Sequence, residues 1–365
     1  MKSLEFLRSS SQRVDAEVSS INLMAREGDA RDIPAWLELY RTRSLLYPAA
    51  NWDILPEMWK SLLDTGRLIL FVVEDRSRPL LSRFVSCCAA IFVTDAFCEE
   101  AKKTLSPCFG VELTQLHLAQ KLPLLTRGMI AEENAGRGLN VMICFESWRE
   151  GAISSQQALA VREKQSAALH LALSGYRIKE LLANPLDHQS FQQWIDGGAR
   201  LRRDGGEGFR SDWKNLRPRI VGLTNEEAEA HPGSHLSSLF VYNRPRFSFS
   251  RAEQKLLQHA LTGETCQGLA AGLGLSAWTV KKRWHSIYAR VTAIDSEILP
   301  PPIAEGPDAH SRGLERRRRL LNYLRQHPEE LRPYRSRIPR LGLVAHAFCY
   351  FSLLASSWNP DFLPA

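Results

Sequence analysis

Apolar positions divide the chain into regions of different period. Arg67–Asp75 (RLILFVVED) is an almost unbroken run of Leu, Ile, Phe and Val behind Gly66, the pattern of a strand buried on both faces. Ser82–Phe97 and Leu139–Trp148 read the same way. Between and around them the period becomes helical. Asp29 stands where it can cap a helix carrying Ile33, Trp36, Leu37, Leu39 and Tyr40. Further helices are expected from Pro56 to Leu63 and from Ser154 to Gly175, and the stretch from Tyr176 to Gly198 reads as more helix. This alternation predicts an α/β (or α+β) domain over residues 23–205, preceded by a polar, Ser-rich flexible arm at 1–22. Residues 206–246 are rich in Gly, Pro and charge, and read as a linker.

From 247 to 299 the pattern is helical throughout. Ser250 and Glu253 form a capping box, and Leu256, Leu257, Ala260 and Leu261 share one face before Gly263. Thr265 can cap a second helix with Leu269, Ala270 and Leu273 inward. After the Gly274-Leu275-Ser276 turn, a third helix turns Val280, Trp284, Ile287 and Val291 inward and leaves Lys281, Lys282, Arg283 and Arg290 outside. The expected fold is thus the α/β domain followed by an all-α helix-turn-helix domain. Residues 300–340 hold a break at Pro300, Pro301 and Pro302 and a basic helix with Arg316, Arg317, Arg318 and Arg319. Residues 341–365 are mostly apolar. Leu341–Trp358 has no charged residue over 18 positions, the lower limit for a membrane-crossing helix; a buried or dimer-forming helix is the alternative.

Composition changes this picture little. At 365 residues, 44% hydrophobic and 24% charged, the chain is of ordinary globular type. Seven Cys without a CxxC pair argue against structural zinc and a disulfide scaffold, and the first residues lack a signal-peptide core, so a reducing cytoplasm is expected. Charge is more telling. The net charge is +7, and all of the excess lies between Val241 and Arg340, which suggests a polyanion as partner of that part alone.

The segment from Phe249 to Val291 resembles the LuxR/GerE-type helix-turn-helix domain. The residues that carry the resemblance are Phe249, Ser250 and Glu253; Leu256-Leu257; Ala260 and Gly263; Leu269-Ala270; Leu273, Leu275 and Ser276; Thr279-Val280-Lys281; and Ile287, Tyr288, Arg290 and Val291. Gly268, Gly272, Arg283 and Trp278 depart from the family pattern. The resemblance implies a non-enzymatic transcriptional regulator, without cofactor or metal, that binds double-stranded DNA as a homodimer under an unidentified effector. It places Thr265, Ser276, Thr279, Lys281, Lys282, Arg283, His285 and Arg290 at the nucleic acid.

The order of elements before residue 205 resembles a GNAT-type acyltransferase more faintly, with Ala135-Gly136-Arg137-Gly138-Leu139 as a phosphate-cradling loop. That glycine run precedes a strand, whereas the family places it after one. The alternative reading is therefore a GNAT-like acyltransferase with an accessory nucleic-acid-binding part. Cys87, Cys88, Cys98, Cys108 and Cys144 stand mostly in apolar runs, where Cys is ordinarily core. His117 and His170 lack a partner at metal-ligand spacing in the sequence. Trp36, Trp52, Trp59 and Trp148 suit either core packing or a ligand pocket.

Overall fold

In a computed structural model, the described residues are 22–41, 52–79, 82–104, 109–149, 155–185, 187–204, 217–300 and 309–335. The arm at 1–21 and the apolar run at 341–365 lie outside them. Leu23–Gly28 (β1), Leu68–Asp75 (β2), Phe84–Val93 (β3) and Leu139–Trp148 (β4) form an antiparallel meander. Ile178–Ala183 (β5) joins β4 in parallel; Arg200–Asp204 (β6) and Arg219–Thr224 (β7) complete a sheet of order β1-β2-β3-β4-β5-β7-β6.

Period-two alternation sorts the strand residues onto two faces. Leu70, Val72, Ala89 and Ile91 meet Trp36 and Leu39 of Ile33–Arg41 (α1) and Leu55, Met58 and Trp59 of Leu55–Thr65 (α2). Asp95–Lys103 (α3) and Phe109–Leu118 (α4) extend that layer through Cys98, Ala101, Phe109 and Leu113. Arg127–Ala135 (α5) leads into β4. Ile69, Phe71, Cys88, Ala90, Val141 and Ile143 face the other way, under Ala168, Leu169, Ala172 and Leu173 of Ser155–Leu173 (α6). Phe191, Trp194 and Ile195 of His188–Asp196 (α7), and Leu236, Leu239 and Phe240 of a short 3-10 turn, pack on that face.

Several expectations need correction. Ile178–Ala183 is a strand, not a helix: Lys179 and Glu180 look solvent-facing in the sequence, but Glu180 is buried and paired with Lys102 at 2.9 Å. Residues 217–240, read as linker, supply β7, a short helix Asn225–Ala230 (α8) and the 3-10 turn. There β7 is buried between β5 and β6, and Thr224 and Glu227 form a capping box. Asp29 caps the 3-10 turn Ala30–Asp32 rather than α1 itself.

Beyond Phe247, Arg251–Leu261 (α9), Cys266–Leu273 (α10), Ala277–Ile294 (α11) and Ala309–Gln326 (α12) surround one core that includes Leu256, Leu257, Val280, Trp284, Ile287, Leu320 and Leu324. Ser250, Thr265 and Ser276 each accept a backbone N–H at their helix start. Among the described residues no helix is long and apolar enough to cross a membrane.

This helical unit is fastened to the sheet domain by a buried arginine. The Arg332 guanidinium donates to the carbonyls of Leu171 (2.8 Å) and Ser174 (2.9 Å), sits 4.8 Å over the Tyr176 ring and pairs with Glu27 at 3.7 Å. It thereby satisfies carbonyls at the C-terminal end of α6 and places a cation at the negative end of the helix. Asn134 donates to Pro333 O at 2.8 Å, and Arg127 to Gln254 at 3.0 Å. Gly175, in a left-handed turn (φ +83°), lets the backbone of Pro328 and Glu329 approach; a Cβ there would lie 2.6 Å from the Pro328 carbonyl carbon. Gly175→Ala is therefore expected to cost about 2–4 kcal/mol in urea unfolding and to raise amide exchange first in residues 328–332. An unchanged midpoint with unchanged exchange would contradict this docking.

Candidate functional site

The sheet opens at one place. β4 and β5 are paired only from Leu139↔Ile178 to Ile143↔Ala183. β4 then continues through Cys144–Trp148 with β3 beside it, while β5 stops at Ala183. Among the described residues, no strand pairs with the β5-side edge of Cys144–Trp148. A bulge lies in this same segment. Cys87 pairs with Ser147 and Ala89 with Cys144, so Phe145 and Glu146 together stand opposite Cys88. Phe145 takes φ +54°, a costly conformation for a residue with a Cβ, held by rings on every side. Its ring lies edge-on to Trp59 at 5.5 Å, Tyr40 at 5.9 Å and Trp36 at 6.0 Å, and Trp36 stacks on Trp59 at 3.7 Å.

The bulge turns Glu146 toward α6. Its Oε1 accepts from Trp148 Nε1 and from Gln165 Nε2, both at 3.1 Å. The Arg162 guanidinium lies 6.0 Å over the Trp148 ring. Across the gap, Asn184 follows β5 and holds the start of α4: Phe109 N–H donates to Asn184 Oδ1 at 3.2 Å, while Asn184 Nδ2 donates to Arg219 O at 2.8 Å. The gap is thus walled by α4 on one face and α6 on the other. Its cysteines are no nucleophiles. Burial pushes the Cys88 thiol well up, with nearby Glu146 adding to the effect, and Cys87 and Cys144 are buried as well.

Of the residues singled out in the sequence, Trp36 and Trp59 pack in the core beneath Phe145, and Trp148 is half-buried on the opposite face. The Gly136-Arg137-Gly138 turn lies at the other end of β4, and the N–H groups of both glycines are already used. Those of Gly136 and Gly138 donate to Glu133 O, and that of Leu139 to Arg177 O. It is no phosphate cradle. Cys108 lies outside the described residues.

The eight residues expected at nucleic acid differ in their surroundings. Thr265 and Ser276 are spent as helix caps, and Thr279 bonds to Ser276 at 2.9 Å. Arg290 turns inward to Glu253 at 3.3 Å, Arg283 is half-buried, and Lys282 lies 5.2 Å over the exposed Trp278 ring; Lys281 and His285 are exposed. The four consecutive arginines are likewise occupied. Arg316 bonds to Thr292 and Arg317 to Glu264 O, while Arg318 and Arg319 share Glu315.

A second polar cluster sits where α6 meets the turn before the 3-10 element. His170 Nε2 and His235 Nε2 are 3.2 Å apart, Ser238 Oγ is 3.3 Å from His170 Nδ1, and Ser166 Oγ contacts His235 Nε2.

No protein-family model matches the chain, and no curated protein sequence does. Solved structures similar to it include the C-terminal condensation domain of Ebony in complex with beta-alanyl-dopamine (12% identity, TM-score 0.36, 56% of this chain and 99% of that one). Arabidopsis thaliana NAA60 in complex with acetyl-CoA is another (12%, TM-score 0.34, 56% and 98%). A spermidine N-acetyltransferase from Vibrio cholerae is a third (10%, TM-score 0.35, 55% and 93%). The similarity to these structures covers just over half of the chain. The expectation of a non-enzymatic transcriptional regulator bound to duplex DNA is corrected on one point: no family model, a LuxR-type helix-turn-helix included, matches the chain, and two of the three structures named are a complex with acetyl-CoA and an acetyltransferase.

Burial and the neighbouring His235 hold the His170 imidazole down to about 4, so it is neutral when folded at pH 7. Between pH 6.5 and 4 the unfolded chain binds a proton that the folded one does not, so stability falls as pH falls through that window. The loss should be on the order of 1–2 kcal/mol for a partly exposed ring, read from urea midpoints with EDTA present. His170→Gln should flatten this slope; an identical slope in the variant would contradict the assignment.

Proposed function

We propose that the sheet domain is an acyltransferase of the GNAT type, moving an acyl group from a coenzyme A thioester to an amine. The observation that carries this reading is the end of the β4–β5 ladder at Ile143 and Ala183, beside a bulge and between two helical walls. A ligand arm containing amides can lie along that edge as a short extra strand, bonding to backbone N–H and C=O groups of Cys144–Trp148. The N-terminus of α6, the positive end of its dipole, would favour the phosphates at the far end of such an arm. Acetyl-CoA is named in one similar structure, and acyl transfer to an amine in another, which agrees with this reading.

The chemistry needs a proton acceptor near the thioester. The amine nitrogen attacks the thioester carbonyl carbon, the C–S bond breaks, and the thiolate leaves. The proton shed by the nitrogen passes to a base, and the thiolate takes one up. Glu146 is the base this site offers: it stands on the open segment, where its Oε1 accepts from Trp148 Nε1 and Gln165 Nε2. No acyl-cysteine step is required, in keeping with the buried thiols.

Acetyl-CoA should raise the melting temperature of the full chain in a concentration-dependent way. With a panel of polyamine and peptide amines, thiol release should depend on the amine. Glu146→Gln should lower kcat by ~10²–10⁴ while leaving the melting shift in place. No shift at saturating acetyl-CoA, or binding without turnover on any amine, would overturn the reading.

A further inference from the structure

We propose that His170 and His235 form a binding site for a divalent transition-metal ion of the zinc and copper class. The site lies apart from the open edge of β4 and does not depend on the acyltransferase reading. The two Nε2 atoms are 3.2 Å apart. Two imidazole nitrogens bound to one ion at 2.0–2.1 Å stand about 3.3 Å apart in a tetrahedron and about 2.9 Å apart when adjacent in a square plane. The observed spacing lies between these values, so an ion needs no movement of either backbone.

Hydrogen bonds set at His170 the tautomer that a metal requires. Ser238 Oγ donates to His235 O at 2.9 Å, which leaves its lone pair to accept His170 Nδ1–H. His170 Nε2 therefore carries a lone pair directed toward His235. Ser166, one helical turn before His170, contacts His235 Nε2 and supplies a hydroxyl at the same point. An oriented imidazole whose second nitrogen donates to an oxygen is the recurring surround of a bound zinc ion.

Both ligands ride on fixed elements. His170 is on α6, whose Ala168, Leu169 and Ala172 are buried against the sheet. His235 belongs to a turn tied by Leu236 N–H to Gly197 O at 2.9 Å and by the buried Ser237 hydroxyl to Ser234 O at 2.6 Å. An ion here would cross-link α6 to the segment that leads out toward the helical unit. Among the described residues there is no cluster of three or more His, Cys, Asp or Glu. With two imidazoles, a hydroxyl and water as ligands, affinity should be micromolar rather than that of a closed structural site.

The test uses the full chain after EDTA treatment and desalting, titrated with zinc chloride, and with copper(II) for spectroscopy. One equivalent should bind with a micromolar Kd and raise the melting temperature. Copper(II) should show nitrogen hyperfine coupling from two imidazoles. His170→Gln and His235→Gln should each weaken this equivalent at least tenfold, while His285→Gln, in the helical unit, should not. Should either variant fold poorly, zinc should still shield His170 and His235 of the unmodified chain from diethyl pyrocarbonate, mapped by mass spectrometry. A simple imidazole–imidazole hydrogen bond would overturn the proposal; it would appear as equal carbethoxylation of both rings with and without zinc, or as zinc affinity indifferent to both variants.

Discussion

The organising constraint is the short parallel pairing of β4 with β5. A parallel neighbour must be reached by a crossover, and here that crossover is α6, which returns across the sheet from the end of β4 to the start of β5. Pairing begins at the N-terminal ends of both strands and ends at Ile143 and Ala183. The Phe145 bulge turns the rest of β4 out of the ladder's register, and Asn184 ends β5 by directing its amide to the α4 backbone and to Arg219 O. Where a ladder stops in the middle of a sheet, main-chain donors and acceptors must find partners other than the neighbouring strand. The gap is therefore a better guide to function than any single side chain in it.

The same helix that crosses over also joins the two parts of the molecule. The C-terminal carbonyls of α6 are held by Arg332 from beyond the helical unit. Removing that arginine would leave carbonyls unsatisfied at a buried helix end as well as breaking an ion pair. The helical unit is thus part of what holds the wall of the gap in place. Gly175, next to this joint, can be occupied only by a residue without a Cβ.

Legibility in the sequence followed burial. β2, β3 and β4 were readable because both faces are covered, so almost every position is apolar. β5 was not: Lys179 and Glu180 are paired with Asp95 and Lys102, residues far away in the chain, and a local pattern cannot show that pairing. β7 was hidden by the charged, glycine-rich residues around it. The caps at Ser250, Thr265 and Ser276 were readable because capping is local. The gap itself carried no signal, since the bulge falls at Phe145, with no glycine to mark it.

The mistaken partner came from counting charges without their neighbours. A cation advertises a polyanion only if its field reaches solvent unopposed. Arg290 faces Glu253, Arg317 lies 5.1 Å over the Trp284 ring, Arg316 lies 4.9 Å over Tyr288, and Arg318 and Arg319 close on Glu315. Arginine suits such work because its planar head stacks on rings and forks onto carboxylates and carbonyls. Arg316 and Arg317 thus hold α12 to α11, Arg290 holds α11 to α9, and an ordered match of caps and apolar positions reports how three helices pack, not what they touch.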